Sequence, residues 1–165
     1  MKKILLYIIN LSLIVLLVGC VSNTKKNEDN NEHKEYKEYT FPVSTGDTIQ
    51  VKLDVSDKYD LVNEIPFKIT NNEETLTLGL FISLDAYQQQ IDKIKNDENS
   101  KIIKEGNKDG NNFVFWSQDE EKYNYVVMIK DSSTGVMLYN SISEESAKEC
   151  FEKLDITVIH QDSQN

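Results

Sequence analysis

The 165-residue chain contains no arginine, and its 18 lysines face 28 acidic residues, giving a net charge of −10. A nucleic-acid binder needs a basic stripe that follows phosphates, and this composition does not supply one. The same negative field pushes the protein away from anionic lipid and anionic wall polymer over about 10 Å at 0.1 M salt. Histidine is almost missing as well: His33 and His160 are the only two. Imidazole is the side chain that titrates near neutral pH without help, so general acid–base catalysis has few candidates. No Gly-x-Ser-x-Gly elbow occurs, and no Cys/His cluster has the spacing of a transition-metal site. Cysteine is confined to Cys20 and Cys150.

The strongest signal stands at the start of the chain. Lys2 and Lys3 precede an apolar run over residues 4–18, broken only by Asn10 and Ser12. As a helix this run would span about 22 Å at 1.5 Å per residue. A bilayer core needs about 30 Å. The segment therefore reads as a cleaved leader rather than a membrane span. It ends in Leu17-Val18-Gly19-Cys20. A branched apolar residue, a small residue before the scissile bond and a nucleophilic thiol stand in order, and the set resembles the lipobox of bacterial lipoproteins. The resemblance implies recognition of Leu17, Gly19 and Cys20 by the lipoprotein signal peptidase. It also implies a diacylglyceryl thioether on Cys20 and residence on the extracytoplasmic face of the cell membrane. Two acyl chains anchor stably where one does not, at about 0.8 kcal/mol per buried methylene. With Cys20 carrying lipid, Cys150 has no intramolecular partner and no disulfide is expected. Loss of Lys2 and Lys3 with the leader would move the net charge from −10 to −12.

Residues 1–19 are thus the expected signal peptide. Residues 20–38 are the lipidated cysteine and a polar tether with too little apolar surface to fold. His33 falls in that tether as a solvated side chain. Residues 39–160 form one globular domain, and residues 161–165 a frayed tail.

Within the domain, residues 39–43 read as an edge strand, with Pro42 at a position that needs no donor. Ile49, Val51, Leu53 and Val55 alternate with polar residues, the pattern of a strand with one wet face. Residues 56–63 read as a loop, 67–70 as a short strand and 76–82 as another. Ser83 is positioned to cap a helix whose buried stripe is Leu84, Tyr87, Ile91 and Ile94. Residues 101–104 form a short strand, followed by the Asp109-Gly110 turn. Residues 113–116 and 123–130 are apolar on both alternating sets and are expected to be covered on both faces. A strand over 136–140, a helix over 144–154 with Ala147, Cys150, Phe151 and Leu154 inward, and a strand over 156–159 complete the chain. The fold class is α/β (α+β): a twisted antiparallel sheet of about six to eight strands with two packed helices.

With Leu76-Thr77-Leu78 ahead of the first helix and residues 151–158 closing the chain, this order resembles the Mog1/PsbP-like α/β/α sandwich. DcrB-like bacterial lipoproteins are similar. The resemblance implies a binding or assembly-factor domain without known catalysis, and no cofactor is expected. No family motif maps onto individual residues, so no site is transferred.

Three chemical candidates remain. Cys150 and His160 are the one possible thiol–base pair, but Cys150 falls on the apolar stripe of its helix. Asn107, Asp109, Asn111 and Asn112 form an oxygen-rich turn, and Asp119, Glu120 and Glu121 another. Either has calcium-ligand chemistry, though neither has the spacing of an EF-hand loop. Tyr87, Tyr125, Tyr139 and Trp116 sit in periodic segments as core, while Tyr36, Tyr39, Tyr59 and Tyr123 are expected outside. The leading expectation is a non-enzymatic envelope lipoprotein that binds a protein partner, with no nucleic acid. A calcium or small-solute binder is the alternative, and an enzyme comes third. An exposed apolar surface, a closed polar-lined pocket, or buried carboxylates of displaced pKa would distinguish them.

Overall fold

The computed structural model describes residues 34–141 and 143–160. Ten strands and two α-helices lie in this span, in a mixed α+β arrangement. The strands are β1 (Tyr36–Pro42), β2 (Thr48–Asp54), β3 (Tyr59–Val62), β4 (Phe67–Asn71), β5 (Glu74–Ser83), β6 (Ser100–Lys108), β7 (Asn111–Gln118), β8 (Lys122–Met128), β9 (Thr134–Ser141) and β10 (Leu154–Val158). Helix α1 (Leu84–Asn96) follows β5, and α2 (Glu144–Lys153) follows β9.

The single sheet expected from the sequence is two sheets. A seven-stranded antiparallel sheet has the order β3-β4-β5-β9-β8-β7-β6, and a three-stranded one the order β1-β2-β10. The split has a local cause. After β2 the chain passes through a one-turn 3₁₀ segment at Ser56–Lys58, with Asp57 and Lys58 at φ 60° and 68°. That turn redirects the backbone, so β3 starts a new sheet instead of extending the first. It carries no Gly or Pro, which is why residues 56–63 read as a loop. Strand β3 was missed with it, although Tyr59 and Leu61 alternate inward and are buried.

The large sheet is covered on both faces. Phe113, Phe115, Tyr125, Val127, Val136 and Leu138 point to one side, where α2 and the small sheet supply Cys150, Phe151, Ile49, Val51 and Leu53. Val114, Trp116 and Val126 point to the other side, where α1 supplies Ile94, with Tyr87 and Ile91 partly buried. This bears out the expectation for the two strands that are apolar on both sets. Each fully buried side chain of this kind contributes about 2 kcal/mol of transfer free energy. On the main side the rings form a column: Tyr125 stacks on Phe115 at 4.3 Å and on Phe151 at 4.2 Å between centroids.

Both helices begin as the sequence indicates. Ser83 Oγ accepts from Ala86 N at 3.3 Å, and Ser143 Oγ accepts from Ser146 N at 3.1 Å. Asp85 in one first turn, and Glu144 and Glu145 in the other, complement the helix dipoles. Leu84 departs from the expected stripe. It is 44% exposed at the first position of α1. Strand β1 begins at Tyr36, three residues before its expected start, and Tyr36 pairs with Asp54. Strand β6 runs nine residues rather than four, because hydrogen bonding to β7 holds solvated residues in the ladder.

Candidate functional site

Two concave regions border the large sheet near its β6 end. The first, about 360 Å³, lies between β10, the β6–β7 hairpin and the C-terminal end of α2. Its principal polar groups are already engaged. Lys108 Nζ donates to the carbonyls of Phe151, Glu152 and Leu154 at 2.8, 3.0 and 2.7 Å. These are acceptors that the end of α2 leaves without helical partners. Burial pulls the Lys108 ammonium below the ordinary lysine value, against the raising effect of Asp155 at 3.8 Å. Asn111 is buried beside it. Its Nδ2 donates to Ile156 O at 2.9 Å and its Oδ1 accepts from Lys130 N at 2.8 Å. Lys108 and Asn111 therefore take two outward carbonyls of β10 and join the small sheet to the large one. This cleft is a joint.

The second region is a groove between α1 and β6. One recess of about 320 Å³ is lined by Tyr87, Ile91, Lys95, Glu105, Gly106 and Val114, among others. A wider one, about 890 Å³, continues past Ile94, Lys95, Glu98, Lys101 and Ile102 to Asp119 and Glu120. Lys95 borders both recesses, which follow one another along the helix and the strand. The corner is fixed by Asp97, which accepts from Asn99 N at 3.0 Å and from Ser100 Oγ and Gln118 Nε2, each at 3.2 Å. The Asn99 amide, then the Gln118 amide, hold its carboxyl below the ordinary range. Burial, and after it the Glu105 carboxylate, raise the Tyr87 phenol.

Strand β6 forms the outer wall and ends the sheet. Register places Ile102, Glu105 and Asn107 on the α1 side, opposite Trp116, Val114 and Asn112. Lys101, Lys104 and Lys108 stand on the α2 side, opposite Ser117, Phe115 and Asn111. Ile103 is accommodated by an irregularity between Ile102 and Lys104. Ile102 is 38% exposed. Gly106 leaves room for the Phe113 ring, whose Cζ would lie 2.9 Å from a β-carbon there.

The candidates from the sequence fall as follows. Leu17, Gly19 and Cys20 lie outside the described residues, as does His33. Cys150 is buried, and burial pushes its thiol up to about 12. His160 is exposed beyond β10, so no activated thiol–imidazole pair is formed. In the Asn-rich turn, Asn107 Oδ1 accepts from Gly110 N at 3.0 Å and Asn112 Oδ1 accepts from Asn107 Nδ2 at 3.0 Å. The three asparagine oxygens of that turn thus already serve as acceptors, Asn111 Oδ1 from Lys130 N. Among the described residues, no three His, Cys, Asp or Glu side chains gather as metal ligands. Trp116 and Tyr125 are core as expected, but Tyr139 is only half-buried. Tyr59, expected outside, is buried, with its hydroxyl donating to Glu149 Oε2 at 2.7 Å. The groove itself was not anticipated. Its trace in the sequence is the run of lysines 93, 95, 101 and 104 in an acidic chain, which reads equally as solvated surface.

No protein-family model, no curated protein and no solved structure matches the chain.

Proposed function

We propose that this chain is a lipoprotein anchored through Cys20 to the extracytoplasmic face of the cell membrane, and that its domain is a non-enzymatic module that binds an envelope protein. The observation that carries the binding reading is the groove along β6. It pairs a nine-residue strand at the end of a sheet with a helix wall and an exposed isoleucine. An open strand edge presents unpaired backbone donors and acceptors, a ready template for another chain. The anchor is supported by Lys2, Lys3, the apolar run and Leu17-Val18-Gly19-Cys20. Among the described residues no helix is long and apolar enough to cross a membrane. The Mog1/PsbP-like sandwich is our reading of the fold type. What supports it is an antiparallel sheet with α1 and α2 on opposite faces.

The non-enzymatic reading draws on the carboxylates. Asp47, Asp54 and Asp97 are all held below the ordinary value, chiefly by the hydroxyls of Ser132 and Ser56 and the amide of Asn99 respectively. A general acid working near neutral pH needs the opposite displacement.

Photo-crosslinking in intact cells tests the binding reading. A photoreactive residue at 102 or 104 gives a discrete adduct, and one at exposed Glu152 on α2 does not. Equal labelling from all three positions would refute the groove as the binding site. The anchor is tested by labelled fatty acid, which enters the wild type and not Cys20→Ala.

A further inference from the structure

We infer that the partner segment is extended and acidic on alternate residues, and that it adds to β6 as an eighth strand of the large sheet. This rests on the protein-binding reading above and specifies its chemistry. The other strand edges are less suited to an added strand. The outward carbonyls of β10 at Leu154 and Ile156 are taken by Lys108 and Asn111. Strand β3 is four residues long and is bridged by Lys37 Nζ to Asp60 Oδ1 at 2.7 Å. Strand β1 is shorter than β6 and ends in Pro42, which has no donor.

Charge then selects the segment. Lys101 and Lys104 stand on the α2 side of the edge and make no ion pair among the described residues. Unneutralised ammonium groups on a chain of net charge −10 are complementary to carboxylates. They also repel a second copy of the same edge, so the strand is guarded against self-pairing while open to an acidic one. The opposite side of the edge differs. There Ile102 is exposed, Tyr87 and Ile91 line the recess, and Glu105 opposes another acid. An added strand places successive side chains on opposite faces. The fitting sequence therefore alternates acids, toward Lys101 and Lys104, with apolar residues, toward α1. Pairing spans residues 101–108, following the register shift between Ile102 and Lys104.

The test uses the full lipidated chain in detergent micelles and two synthetic decapeptides. One alternates glutamate with valine, and the other alternates lysine with valine. The glutamate peptide slows amide exchange at residues 104–108 and binds about tenfold more tightly than the lysine peptide. The double variant Lys101→Glu/Lys104→Glu, at exposed positions, reverses that order. Absence of amide protection, or an unchanged order in the variant, would overturn the inference. If crosslinks from residue 102 form in cells while the glutamate peptide gives no protection, the partner chemistry is wrong and the binding reading stands.

Discussion

The tip of the Phe67 ring occupies the space beside Gly79 on the neighbouring strand, where any β-carbon would overlap it. The two face each other across β4 and β5, and Phe67 is fully buried against Phe41 and Phe81. Gly79→Ala is expected to lower stability by about 3 kcal/mol, since the ring has no space to retreat. Phe67→Leu in the same chain relieves the overlap. The double variant should lose less than the two single losses added together, as read from urea midpoints.

The β4–β5 hairpin turns through Asn72 and Glu73, at φ 48° and 70°. Two left-handed residues define a type I′ turn, which prefers glycine at its second position. A side chain held there costs about 1 kcal/mol relative to glycine. Glu73→Gly should therefore raise the thermal midpoint, a rare case of glycine stabilising a fold. A lowered midpoint in calorimetry would contradict this account of the turn.

Asn111 joins two sheets through one amide. Asn111→Ala leaves Lys130 N–H and Ile156 C=O without partners and should remove about 2–4 kcal/mol. Amide exchange should show β10 opening before the large sheet does. Uniform loosening of both sheets would argue against a local joint.

Asp47 ties the β1–β2 turn to the segment before β9. Its Oδ2 accepts from Ser132 Oγ at 2.6 Å, Thr134 Oγ1 at 2.8 Å, Ser133 N at 3.0 Å and Ser133 Oγ at 3.2 Å. The Ser132 hydroxyl, then that of Thr134, holds the folded carboxyl below the ordinary value. A depressed folded pKa gives stability that is full above the unfolded value and is lost as pH falls through the folded one. Asp47→Asn should cost about 1 kcal/mol at pH 7. The gap to wild type should narrow as pH falls below the ordinary aspartate value of about 3.9, in urea titrations run across that range.

Much of the fold follows from periodicity and caps. Ser83 and Ser143 mark both helices, Asp109-Gly110 marks a two-residue hairpin with φ 55° and 92°, and the doubly apolar strands β7 and β8 are covered on both faces. What the sequence hides is of two kinds. Turns built from ordinary residues at positive φ, such as Asp57-Lys58, carry no glycine signal, so β3 and the second sheet went unseen. Long-range pairing is the other: nothing near Thr157 announces that β10 joins β2 through Gln50. The groove was hidden for a related reason. Its two walls are adjacent in sequence, but β6 is too polar to read as a nine-residue strand until β7 is beside it.

The pairing of β1 with β2 bears on how the domain withstands pulling. Seven residue pairs, from Tyr36 with Asp54 to Pro42 with Thr48, lie side by side along the strand axis. A tug on the N-terminal end of β1 directed along the strand axis loads all seven together in shear, whereas one directed across that axis peels them from Tyr36 onward. Resistance to traction at that end therefore depends on the angle of the pull.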